Sequence, residues 1–170
     1  MDVTLFVLTV VVGGAASDAS RGLIPNWLTV AGAVGGIGLH TAHGGLSGFV
    51  GSLTGLCVGM ALLIGFYVCG GMGAGDVKLM GAVGSCLGPL GVLHAALATA
   101  VLGGIYALAL GCRRWGMLAT YRYIATLCLT VLLTSRAFPG AISDSSSPLV
   151  LRYGVAIALG TTLSLWWRGQ

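Results

Sequence analysis

The chain has 170 residues, long enough for one domain, but 56% of it is apolar and only 7% charged. With a mean hydropathy of +0.99 it has the profile of a bilayer-embedded protein. Glutamate is absent and the only acids are Asp2, Asp18, Asp76 and Asp144, which excludes every mechanism needing a Glu, the His-Glu-x-x-His zinc proteases among them. The net charge of +4 is spread thinly between apolar runs with no basic patch interleaved with aromatics, so nucleic acid is not an expected partner.

A spanning helix needs about 20 predominantly apolar residues. On that scale the sequence predicts spans near 2–18, 27–44, 47–69, 77–89, 90–111 and 150–167. The first is read as a membrane helix rather than a cleaved signal, because no Lys or Arg precedes its apolar run. In the second and third spans, Gly32 and Gly36, then Gly51, Gly55 and Gly59, recur at a spacing that lets helices approach closely in lipid. The "GPLG" at Gly88 to Gly91 reads as a tight turn between the fourth and fifth spans. Residues 113–148 form a mixed segment that either crosses the membrane or lies along it as an amphipathic helix. The positive-inside rule favours the second arrangement, since it puts Arg21, Lys78, Arg113, Arg114, Arg122, Arg136 and Arg152 on one cytosolic side and leaves only Arg168 outside. The expected fold is therefore all-α: a single polytopic membrane domain over residues 1–170, with about six spans and a cytosolic amphipathic segment before the last.

Within that topology Asp18 ends the first span and Asp76 begins the fourth, with an out-and-back pair of spans between them. Both should face the same side, the cytosol. An ionisable residue at such a position suggests function by default. Two carboxylates brought close do not both ionise easily, so one holds a proton, which is the equipment of an aspartyl hydrolase. Gly73 and Gly75, flanking Asp76, read as residues that open backbone conformations closed to others and let a substrate strand approach. The plainer alternative is that Asp18 and Asp76 cap helices or pair with Arg21 and Lys78. Asp2, at the terminus, and Asp144, in a Ser-rich loop, lack such a setting.

The stretch "GMGAGDVKLMGAVG" resembles the signature of the GxGD membrane aspartyl proteases of the type IV prepilin peptidase family. "SDASRGLIPNWLT" is similar to the segment carrying that family's first catalytic Asp, and "RYGVAIALG" resembles the Pro-Tyr-Gly-x-Ala stretch before its last helix, with Arg152 where proline is usual. The resemblance implies Asp18 and Asp76 as the catalytic pair, Gly73 and Gly75 as loop-shaping residues and Lys78 as the basic residue that follows the second Asp. Pro25 and Asn26 would set the start of the second span, a role that a Pro turn and helix cap describe equally well. The loop between the first two spans is only about eight residues, so the resemblance is to the short form found with Tad or Flp pilus systems, without methyltransferase activity. The implied substrate is a prepilin with a basic leader and a hydrophobic helix, cut at the cytosolic face of the bacterial cytoplasmic membrane. No cofactor or metal is implied.

Competing readings are a proton-coupled transporter or channel, whose acids would lie along a path through the membrane, and a non-catalytic part of a pilus or secretion apparatus. His40, His43 and His94 are expected near one another on the face opposite the aspartates, as packing or interfacial histidines rather than metal ligands. Cys57, Cys69, Cys86, Cys112 and Cys128 read as small buried hydrophobes. Ser85 has no base placed to activate it. Trp166 and Trp167 read as an interfacial anchor.

Overall fold

The computed structural model describes residues 2–68, 72–117, 122 and 153–168. Among them there is no strand, and four helical elements follow in order: α1 (Val3–Arg21), α2 (Asn26–Val68), α3 (Ala74–Trp115) and α4 (Tyr153–Arg168). The first three are long and apolar enough to cross a membrane. The segment read as cytosolic and amphipathic falls mostly outside the described residues.

Among the described residues the six expected spans thus fall in four elements, because two predicted boundaries are single-residue breaks rather than loops. A 43-residue helix would run about 64 Å if straight, roughly twice the hydrocarbon thickness of a bilayer. α2 does not run straight: Gly45 has φ 56° and ψ −136°, left-handed backbone that glycine adopts at little cost. The chain folds back there so tightly that a Cβ on Gly48 would fall on the carbonyl of His40, although eight residues of helix would hold the two about 12 Å apart. α3 breaks in the same way at Gly88 (φ 72°, ψ 178°), followed by Pro89. The first break falls between the expected second and third spans, and the second opens the "GPLG" turn.

The breaks set the packing. The leg of α3 before Gly88 lies between the two legs of α2. Gly32 and Gly36 approach Ala82 and Cys86 in parallel, while Gly55 and Gly59 cross Gly84 and Met80 antiparallel. Cβ atoms on Gly55 and Gly84 would each collide with the other's carbonyl, so these backbones touch. Gly51, from the same glycine row, instead faces open space. The buried residues of α2 are accordingly small: Thr29, Gly32, Gly36, Ser52, Gly55 and Gly59, with Leu63 the exception. Large apolar residues such as Leu53, Ile64, Leu97 and Val101 point outwards, as lipid contact requires. Val7, Val11, Leu79, Met80, Val83, Val92 and Ile157 fill the centre. After Gly88, α3 runs antiparallel to α4, with Thr99 against Gly160 and Gly103 against Ala156 and Tyr153.

Breaking a helix in lipid leaves carbonyls that need new donors. Pro89 has no N–H to offer the carbonyl one turn earlier, that of Ser85. The buried Ser52 hydroxyl donates to that carbonyl at 2.6 Å, and His40 Nε2 donates to the next one, Cys86, at 2.7 Å. The histidine expectation is corrected in part. His40 and His43 share a pocket with Asp2, whereas His94 is exposed and does not line it, and no group of metal-ligating side chains occurs among the described residues. Cys86 is buried as expected, but Cys57 is exposed.

Candidate active site

Asp18 lies in the last turn of α1, which runs on to Arg21 instead of ending at the aspartate. The connection to α2 is correspondingly shorter than expected, Gly22 to Pro25. Gly22 (φ 65°) ends the helix in left-handed backbone, its N–H donating to the Asp18 carbonyl at 2.9 Å. The Ser17 hydroxyl reaches across the turn to the Leu23 carbonyl at 2.9 Å. These contacts fold the Gly22–Pro25 turn back beside Asp18. Asn26 opens α2, and its side-chain oxygen accepts a hydrogen bond from Lys78 Nζ at 3.0 Å.

Asp76 sits in the first turn of α3, whose N-cap is Gly73. The Asp76 N–H donates to the Gly73 carbonyl at 3.1 Å. Here the backbone conformation expected of the two glycines is corrected. Neither has positive φ, and Gly73, at φ −77° and ψ 149°, holds backbone that any residue adopts. Gly75 matters for space, since a Cβ there would lie 3.1 Å from Ile24 Cβ. The glycine lets the start of α3 press against the turn that follows Asp18.

The two aspartates meet at one end of the bundle. Both are 8% exposed and both line a cleft of about 610 Å³. Gly73, Gly75, Lys78, Pro25 and Asn26 line the same cleft, so all seven residues singled out from the sequence come together. Among the described residues neither carboxylate forms an ion pair, and Lys78 turns to Asn26 rather than to Asp76. The readings of these aspartates as ion-pair partners of Arg21 and Lys78 therefore lose their support. An apolar pocket lined by Val30, Ala33, Leu56 and Met60 adjoins the cleft at Lys78.

Sequence reasoning missed three contributors. Gly22, a glycine directly after the last basic residue of a helix, carried a recognisable C-cap signal. Tyr153 lies near enough to Asp76 to feel its charge, and the Gly154 N–H donates to Asp18 Oδ2 at 3.0 Å. The Tyr-Gly pair was visible in the sequence, but a backbone N–H carries no signal of its own.

Comparison with curated proteins and with solved structures gave no significant match. The sequence profile of the type IV leader peptidase family matches residues 4–108, more than half of the chain and a stretch that includes Asp18, the turn after it, both glycines and Asp76. With a match of that extent running through both walls of the cleft, the chain belongs to the type IV leader peptidase family.

Proposed function

We propose that this protein is a membrane aspartyl endopeptidase that removes the leader peptide from type IV pilin-like precursors of the Flp or Tad kind. One observation carries the reading: two largely buried carboxylates, neither in an ion pair among the described residues, share a cleft at one end of an apolar bundle. A pair of this kind needs neither metal nor covalent intermediate. One carboxylate, ionised, takes a proton from water as the water attacks the peptide carbonyl; the other, protonated, donates a hydrogen bond to the carbonyl oxygen.

The chain in this reading is one domain whose two broken helices each supply two crossings, six in all. The cleft then opens at the cytosolic face of a bacterial inner membrane, where Arg21 and Lys78 also lie. The substrate presents a flexible leader to the cleft and an apolar helix to the bilayer. Confinement of both aspartates to one end of the bundle favours hydrolysis over proton relay, which needs acids along a path.

Co-expression of a pilin precursor with wild type, Asp18→Asn or Asp76→Asn, with enzyme levels matched, tests this by gel mobility. Loss of the leader with wild type and retention with either variant is expected, since removing one member of an acid–base pair costs about 100- to 10,000-fold. Asp144→Asn should cleave normally. Full cleavage by either of the first two variants would remove the dyad, and normal processing by both would leave only a structural role.

A further inference from the structure

Gly154 lies in the first turn of α4, where backbone N–H groups have no carbonyl one turn earlier in the helix to bond. Its N–H donates to Asp18 Oδ2 at 3.0 Å, and no other hydrogen bond to the Asp18 carboxylate occurs among the described residues. The approach is closer than a side chain would permit. A Cβ on residue 154 would lie 2.9 Å from both Cβ and Oδ2 of Asp18 and 3.1 Å from its Cγ. Gly154 also lies outside residues 4–108, so nothing in the family match assigns it a role.

We propose that Gly154 is a positioning residue for Asp18: its N–H anchors one carboxylate oxygen and so presents the other, Oδ1, to the attacking water. The inference rests on the protease reading above and deepens it. Asp18 and Asp76 stand on different helices, and the carboxylate oxygen of a side chain with two free torsions needs a third element to fix it. The start of α4 is that element, with the Gly154 N–H on Asp18. A donor at a helix N-terminus suits this task, because the helix dipole adds to the attraction for a carboxylate.

The test uses the purified full chain in lipid vesicles, cleaving a pilin precursor, with kcat, KM and the pH profile measured for each variant. Gly154→Ala displaces the carboxylate by bulk. Replacing Gly154 with glycolic acid, which exchanges the N–H for an ester oxygen, deletes the donor without adding an atom. Gly160→Ala serves as a packing control, since its Cβ would collide with Thr99 on the same helix pair, about two turns away.

The ester should lower kcat about 10- to 100-fold, the size of one charge-assisted hydrogen bond, with KM nearly unchanged and the pH profile displaced. Gly154→Ala should lower kcat at least as far, while folded Gly160→Ala should keep both kcat and profile. An ester with wild-type kcat and profile would overturn the proposal, as would equal losses in Gly154→Ala and Gly160→Ala with no change of profile. Failure of the underlying reading looks different: wild type would not cleave, or Asp18→Asn would.

Discussion

Substituting the two glycines before Asp76 should have unequal effects, although a motif reading treats them alike. At Gly75 a methyl group meets Ile24 Cβ at 3.1 Å, short of the 3.4–4 Å of ordinary contact, so one side must yield by a few tenths of an ångström. Such overpacking costs about 1–3 kcal/mol. Gly75 is also helical, and alanine there recovers about 1 kcal/mol of helix propensity. The terms nearly cancel for Gly75→Ala, so its loss of activity reports displacement of Asp76 rather than unfolding. With a misplacement of 1 Å worth about 100-fold, a few tenths should lower kcat several-fold to about tenfold. Gly75→Val adds two more carbons and recovers less propensity, and should lose stability by about 2 kcal/mol and nearly all activity. Gly73→Ala meets Asp76 Oδ2 at 3.4 Å and the Gly75 nitrogen at 4.0 Å, both ordinary contacts, in backbone open to any residue. It should fold as wild type and keep kcat within about threefold, small N-cap and chain-entropy terms offsetting each other. Precursor cleavage in vesicles, with thermal unfolding of the same samples, decides the matter. A folded but inactive Gly73→Ala beside a tolerated Gly75→Val would refute the reasoning.

Ser52→Ala should destabilise the protein by about 1–3 kcal/mol, because it strands the Ser85 carbonyl that Pro89 cannot serve; His40→Ala should cost about 1 kcal/mol, and His43→Ala, whose bond stays within its own helix turn, close to nothing. Thermal unfolding in detergent ranks the three. Gly55→Val should fail to accumulate in the membrane, since even a Cβ collides with the Gly84 carbonyl, whereas Gly51→Val, facing open space, should accumulate normally on a blot of membrane fractions. Lys78 and Asn26 form an exposed pair, so a double-mutant cycle of Lys78→Met and Asn26→Ala on stability should give a coupling of about 1 kcal/mol or less.

The helical class and the apolar length of the first three elements were legible because apolar length is a strong signal and acids are scarce. The glycine row of α2 was legible as a packing face, but not which glycines touch. Gly55 and Gly51 look equivalent in sequence, and only the crossing of α2 over α3 separates them. The breaks at Gly45 and Gly88 were legible as boundaries yet not as one-residue folds, since a loop and a left-handed glycine leave similar marks. The cleft was legible further than the fold. Four acids in 170 residues leave few pairs to consider, and topology puts Asp18 and Asp76 at the same end. The unusual backbone expected of Gly73 and Gly75 was misread, because neither has positive φ and Gly75 gives room beside Ile24.

The cleft also explains why an apolar bundle can keep two carboxylates nearly buried. Asp18 and Asp76 sit at a helix end and a helix start, where the chain reverses and polar backbone is already concentrated. Gly22 turns the chain beside the first, Gly73 caps the helix bearing the second, and the first turn of α4 brings another N–H to Asp18. Each carboxylate is thus shielded from lipid by backbone that needs polar partners itself, which lowers the cost of holding charge there. The same three chain ends must stay in register for the cleft to exist. The contacts that hold them, Gly75 on Ile24 and Gly154 on Asp18, are as close as they are because glycine stands at both, and a methyl group at either would displace the ends.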